Sequence, residues 1–390
     1  MKAKKSSILL VSFCITLVLL VLASKPALTI AEPIRMGGLF SMTGATSMWG
    51  KAFKESFDLL LKQVDYKVAG SQIEFYLEDV KQDPAVSLDM ARKLVEGNKV
   101  QIVFGPLLGS SRLAVLPYLR QRKILNVTVG EGALAELTEV GQFASQPGGL
   151  WAYVTRPLGV YAYDVMGYRT ATTLAADFVA GHEFMQGFTD AFKKKGGVVI
   201  QQQWPPYNTL DFSPYLSALK NADCIVTWQA NPPTELAFVK QCYDYGMHKK
   251  MPVLFLWGED MEEEMMPQLG DYILGMKGTH KYSLRLDLPA NKKFITAFEA
   301  AYGHKPTPHN AGAYESLLVV LKALEATRGD TTANKMLQAI TKLKLDTPMG
   351  HLIFNSKGTG FTDHYICEIQ KVAGKYEWVP IKTYPPTIIE

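Results

Sequence analysis

The sequence predicts an α/β protein in which two parallel-sheet units, each covered by helices, share one chain of 390 residues. Three observations predict it. Short apolar runs alternate with amphipathic segments almost throughout. The runs are too uniformly apolar for a sheet with one wet face, so helices must cover both faces. The alternation is interrupted by a polar, Gly-rich stretch around 141–159, which separates two similar blocks. A chain of this length is ample for two cores.

Taken in order, "PIRMGGLF" reads as the first strand. It precedes a helix whose Phe53, Phe57, Leu60, Leu61 and Val64 fall on one face. "QIEFYLEDV" leads to a helix opened by Asp83-Pro84, where the missing N–H of Pro84 costs nothing. "QIVFG", a helix from about Ser110, and "ILNVTV" complete the first block. The second starts near Tyr168 with "TATTLAAD", a helix from His182 to Lys195 and "VVIQQQW". A helix near Pro214, "CIVTW", another helix and "VLFLW" continue it. After "GMKGTHKYS" come helical segments at roughly 290–302, 310–328 and 331–343, and the strands "HLIF", "HYICEI" and "YEWVPI" close the chain. Parallel sheets meet ligands at the carboxyl ends of their strands. The uncharged loop in "LFSMTGATSMWG" (39–50), with Trp49, stands at such an end.

The first residues read as an export signal. Lys2, Lys4 and Lys5 precede the apolar run Ile8 to Leu22, and small residues offer cleavage after Ala23 or Ala31, of which Ala31 is expected. Retention of the run as an anchor is the alternative, although it is slightly short to span a bilayer. No later segment reaches eighteen apolar residues. The formal charge of +4 falls to zero when Lys2, Lys4, Lys5 and Lys25 leave with the signal, so the basic balance is a targeting feature. No clustered Lys and Arg surface for nucleic acid is expected. Cys224, Cys242 and Cys367 remain, with no C-x-x-C spacing. Neither a zinc site nor a disulfide framework is supported, and buried thiols are the simpler reading.

Catalytic patterns are weak. "GEGALA" (130–135) matches G-x-G-x-x-A but follows about the fourth strand and lacks the acidic residue some twenty positions on. No phosphate loop and no G-x-S-x-G elbow occurs. "HEFMQ" at His182 lacks the second histidine of a zinc helix, and His304 and His309 are separated by a turn-like run. "GEDMEEEMM" reads as a solvated acidic helix start, except that Glu259 comes directly after "VLFLW", where a cleft should open. No enzyme and no cofactor is expected.

Seven markers then carry a resemblance: "GLFSMTGATSMWG", "LEDVKQDPAVSLDMARKLV", "VQIVFGPLLGSS", "ILNVTVGEGALAELT", "TLDFSPYLSALKNADCIV", "AGAYESL" and "TPMGHLIFNSKGTG". Each is weak alone, but in this order they resemble the periplasmic solute-binding proteins of the branched-chain amino-acid (Leu/Ile/Val-binding) ABC transporter family, over nearly all of the chain after the signal. The resemblance implies a type I periplasmic-binding-protein fold of the Venus-flytrap kind: two doubly wound parallel-sheet lobes joined by a three-strand hinge that closes on a small solute. The crossings are expected near Tyr153 to Leu158, Thr279 to Ser283 and Asp346 to Gly350. Lobe one would then comprise 32–155 plus 284–346, and lobe two 156–283 plus 347–390, after a signal at 1–31.

The resemblance also implies site residues. Trp49 matches an aromatic over the solute side chain. Gly109, Ser110 and Ser111 align with a turn that holds the solute carboxylate, although the family's serine falls at Gly109. Gly130, Glu131 and Gly132 replace an alanine-x-threonine grip, across a one-residue insertion. Asp177 lies in "AADFVAG", where the family's tyrosine position is Ala180. Trp228 and Gln229 replace a glycine-rich turn, and Glu259 matches the acid that pairs with a solute ammonium. Retention of Glu259 supports an α-amino acid, whereas loss of the serine, threonine and tyrosine weakens that assignment. Trp49, Trp228, Trp257, Phe40 and Tyr282 are expected near the cleft, and flat walls suit apolar or aromatic solutes. The expected function is capture of a small carboxylate-bearing solute, an apolar amino acid or an aromatic or aliphatic acid. It would take place in the periplasm, by a monomer serving an ABC membrane permease, with no nucleic-acid partner. Rival readings are a sensor lobe acting on a receptor, and an enzyme using Glu259 or Asp177 as a base.

Overall fold

Strand β1 (Ile34–Phe40) lies at the centre of a six-stranded sheet in the computed structural model, which describes residues 32–44, 46–133, 142–261 and 263–387. The expected export signal lies outside the described residues. Helix α1 (Ser47–Gln63) follows β1, then β2 (Lys67–Val68), β3 (Ser71–Asp79), α2 (Pro84–Arg92), β4 (Ile102–Phe104), α3 (Gly109–Gln121), β5 (Leu125–Val127) and β6 (Ala144–Ser145). The sheet order is β2-β3-β1-β4-β5-β6. β3, β1, β4, β5 and β6 run parallel, and β2 is an antiparallel edge. The apolar strands justify this arrangement, since β1 and β4 bury almost every residue.

Two short helices, α4 (Trp151–Val154) and α5 (Arg156–Asp164), lead into β7 (Thr170–Ala175), α6 (Val179–Lys195), β8 (Val198–Gln203), α7 (Ser213–Ser217), β9 (Cys224–Trp228), α8 (Pro232–Asp244), β10 (Val253–Phe255) and β11 (Lys277–His280). Helices α9 (Pro289–Tyr302), α10 (Pro308–Thr327) and α11 (Ala333–Ile340) precede β12 (Lys344–Thr347), β13 (Gly350–Phe354), β14 (Gly360–Thr362), β15 (His364–Val372) and β16 (Lys375–Tyr384). The second sheet has the order β16-β15-β11-β10-β9-β7-β8, with a parallel body from β11 to β8 and the antiparallel hairpin β15–β16 at one side. β12, β13 and β14 form a small antiparallel sheet.

Apolar packing fixes which elements belong together. Phe40 meets Phe53 and Phe57 edge-on, Phe57 meets Phe104, and Leu317, Val320 and Leu324 of α10 complete the same core. The chain therefore returns to the first lobe after building most of the second. Helix α9 touches both. Its Phe294 and Phe298 join the cluster of Phe255 and Tyr365, while the Tyr302 hydroxyl donates to the Glu55 carbonyl on α1 at 2.6 Å.

The expected lobe limits need two corrections. Residues 153–158 are not an extended crossing: they lie in α4 and α5, with Val154 and Leu158 in the core of β7, β9 and α6. The chain passes from β6 to that core within 146–150. The segment after 347 does not join the second lobe at once either. Thr347 and Gly350 pair as the turn of the β12–β13 hairpin, and Leu352 and Phe354 pack in the first core. The chain rejoins the second sheet at β15. Both differences have one cause: strand-like and helix-like patterns reveal an element but not the partner that covers its apolar face.

Candidate functional site

In the first lobe, the loops after β1, β4 and β5 gather at the carboxyl ends of the strands. Asp79, at the end of β3, pins the opening loop. Its carboxylate accepts the Met42 N–H at 2.9 Å, the Thr43 hydroxyl at 2.6 Å and the Lys81 N–H at 3.0 Å. Burial works to raise the Asp79 pKa, but the Thr43 hydroxyl and these main-chain donors outweigh it and hold the pKa below its ordinary value. Trp49, in the first turn of α1, is half-buried. Its indole stacks on His309 with ring centres 5.2 Å apart and planes 14° from parallel. Helix α3 starts at Gly109 without a side-chain cap, so its first N–H groups have no partner inside the helix. Ser110 is exposed, while Ser111 is buried and its Oγ has no hydrogen-bond partner.

After β5, Gly130, Glu131 and Gly132 pack against 146–150. Gly132 is packed closely: a Cβ there would overlap the Gln146 amide and come 2.6 Å from the Arg112 guanidinium, so both side chains would have to shift. Arg112 is 1% exposed and donates to the carbonyls of Pro106 at 3.2 Å and Leu107 at 3.0 Å. A rigid cationic post thus supports the turn that leads into α3.

In the second lobe, the residues expected from sequence separate into surface and core. Asp177, after β7, is exposed and meets His182 Nε2 at 2.7 Å. The His182 ring stacks on Trp204 at 3.9 Å, and Phe178, 46% exposed, lies 5.1 Å from the Tyr207 ring. This aromatic rim escapes a motif search because it joins residues after two different strands. Trp228 is only 6% exposed and meets Phe184 edge-on within the lobe's own core. Gln229 is buried as well. Its amide donates to the Leu174 carbonyl at 3.0 Å and the Thr227 hydroxyl at 2.8 Å, and its main-chain N–H goes to Glu235 at 2.9 Å. Phe40 and Tyr282, also expected near the cleft, are each 2% exposed. Trp257 is half-buried and stacks on Phe184 at 5.5 Å.

Lys281, the residue after β11, connects the two sides. Its main-chain N–H and that of Tyr282 donate to Glu259 Oε1 at 2.8 and 2.9 Å. Its side chain, 2% exposed, reaches Glu131 Oε1 at 2.8 Å and the Gly148 carbonyl at 2.5 Å. Burial opposes the ammonium, but Glu131, Glu315 and Glu259 outweigh it and raise its pKa. Glu259 lies in a short turn four residues beyond the second-lobe strand β10, and burial pushes its carboxyl up to about 8, with Glu131 adding to the shift and the Tyr282 and Lys281 N–H groups resisting it. Glu315 on α10 is pushed up to about 7 by burial, against the pull of Lys281 and of the Thr347 hydroxyl that donates to it at 2.7 Å. His309 is lowered to about 4 by burial, an effect Glu131 opposes. Contacts and fields therefore run from Trp49 through His309, Glu131 and Lys281 to Glu259, joining the two groups picked out on opposite lobes. Sequence reading found the ends of this run and Glu131; Lys281 and His309 carry no spacing signal. No group of three side chains able to hold a metal occurs among the described residues.

Residues 33–375 match the sequence model of a family described as periplasmic binding protein. This chain belongs to that family. A Leu/Ile/Val-binding protein homolog 6 of Brucella suis is 28% identical over 361 residues, covering 91% of this chain and 92% of the relative. An ABC transporter substrate-binding protein of Sphaerobacter thermophilus has a similar structure, with a TM-score of 0.84 and 25% identity over 91% of this chain and 98% of that one. A solute-binding protein of an ABC transporter from Rhodopseudomonas palustris, in complex with p-hydroxybenzoic acid, gives a TM-score of 0.81 at 26% identity, with 91% and 98% covered. The two lobes are those of the type I fold. The protein is an ABC-transporter solute-binding protein, and its place is outside the cytoplasm. No helix among the described residues is long and apolar enough to cross a membrane.

Proposed function

We propose that this periplasmic binding protein captures a small solute bearing a carboxylate and an apolar or aromatic body, and delivers it to a membrane permease as a monomer released by signal cleavage. The observation that carries the reading is the start of α3: uncapped N–H groups at Gly109, Ser110 and Ser111 beside a buried hydroxyl with no partner, at the carboxyl end of β4. An anion is favoured there by the helix dipole and by the free donors together. The half-buried face of Trp49 supports the apolar part of the solute. The names of the relatives fit this chemistry, since leucine, isoleucine, valine and p-hydroxybenzoic acid all carry a carboxylate.

Two solute classes remain in competition, and Glu259 distinguishes them. An α-amino acid brings an ammonium, which needs Glu259 ionised; an acid without an amine can leave it protonated. With the Glu259 pKa at about 8, amino-acid affinity rises with pH between about 6.5 and 8 as the proton no longer has to be expelled. The affinity of a simple aromatic acid does not. Calorimetric titration with leucine and with 4-hydroxybenzoate, at both ends of that range, makes the comparison. Glu259→Gln is expected to weaken leucine at least about tenfold, the scale of a charge-assisted bond, and to leave 4-hydroxybenzoate nearly unchanged. Failure of both solutes, and of related acids, to bind would set the carboxylate reading aside.

A further inference from the structure

Glu131 and Glu259 stand on different lobes, yet both are bonded to one residue between them. Lys281 holds the first through its side chain and the second through its main chain. The same ammonium takes the carbonyl of Gly148, in the passage from β6 to α4, so two of the chain's passages between lobes meet at this residue. The third is close: Thr347, at the β12–β13 turn, is bonded to Glu315, whose charge acts on Lys281. A buried cation is costly unless its donors are met. A change in lobe angle that moves Glu131 or Gly148 away from Lys281 has to leave a buried charge short of partners, and the pair therefore resists it.

Resting on the solute-binding reading, the geometry points to Lys281 as a positioning residue that sets the angle between the lobes and, through Glu131, the loop at 130–132 that faces the solute. The bonds from residue 281 to both candidate walls carry this assignment. A buried pair that only added stability would not need to bond a residue of each lobe.

Spin labels at Lys62→Cys on α1 and Lys194→Cys on α6 report the distance between lobes, because both positions are exposed and Cys224, Cys242 and Cys367 are buried. Cys14, in the expected export signal, is replaced by Ser as well, so that a chain retaining the signal carries no extra label. Lys281→Met alone strands Glu131 and lowers the melting temperature, whereas Lys281→Met with Glu131→Gln removes both charges and regains most of it. In the absence of solute, this double variant is expected to show an interlobe distance distribution at least about twice as broad as the parent, and Lys281→Arg is expected to keep the parent distribution. A double variant with restored melting temperature and the parent distribution would overturn the assignment and leave the pair as a packing feature. If the double variant does not fold, Glu131→Gln alone decides the matter: a broadened distribution supports the assignment and an unchanged one overturns it. These readings need no solute. Adding leucine or 4-hydroxybenzoate to the labelled parent then tests closure separately, so a failure of solute binding is not confused with a failure of the latch.

Discussion

Glu259 shows how one side chain can combine two roles whose energies oppose each other. Its carboxyl is tied to two main-chain N–H groups, which favour the charged form, yet enclosure wins and raises the pKa to about 8. The native state therefore keeps a proton that the unfolded chain has lost above its ordinary value of 4.5, and rising pH favours unfolding across that window. Glu315, raised to about 7, acts in the same sense. Buried His280 and His364, lowered to about 3, and His309, lowered to about 4, act in the opposite sense, but only below about 6.5, where the unfolded chain charges them. The expected outcome is a solute-free protein that loses stability from pH 6.5 to 8, by on the order of 1 kcal/mol, with most of the slope absent in Glu259→Gln. Chemical denaturation at closely spaced pH values measures it, and an identical slope in the variant would remove Glu259 as the cause. The sequence showed that an acid follows β10. It could not show the N–H groups of Lys281 and Tyr282 beneath it, because those depend on where β11 ends in space.

At the scale of elements, the opening loop and the helix that follows it work as one unit. Asp79 fixes the loop, Trp49 leaves it in the first turn of α1, and His309 at the start of α10 supplies the flat surface behind the indole. Helix α10 is held there by a capping box between Thr307 and Asn310, and the Asn310 amide also donates to the Ala52 carbonyl on α1 at 2.8 Å. Trp49→Ala should therefore weaken solute binding by about 10- to 100-fold and, because the ring is only half-buried, cost about 1–3 kcal/mol of stability, with the circular dichroism spectrum of the fold retained. Unchanged affinity would show that the indole serves packing alone. Strands and helices were legible from apolar periodicity: the helices expected at 290–302 and 310–328 occur as α9 and α10, and the parallel runs pair as expected. Trp228 and Gln229 were not placed by the same logic. An aromatic or amide at a strand end can turn into its own lobe as readily as into a cleft, and here the Phe184 ring and the Leu174 carbonyl receive them.

For the whole molecule, the two sheets were foreseeable from alternation, but the allocation of the last third of the chain was not. Leu352 and Phe354 return to the first core before β15 pairs with β11, a long-range choice that no local pattern encodes. What the architecture provides is two bodies whose loops meet around Lys281, with donors at α3 on one side and Glu259 on the other. A trapped solute would be contacted by both, so its binding energy is also the energy of closure. Native mass spectrometry of protein purified under gentle conditions from its own cells tests this most directly. The expected result is one small organic acid retained per chain and lost on Trp49→Ala; a chain that carries no solute under any growth condition, or that turns its bound molecule over to a product, would contradict capture between the lobes.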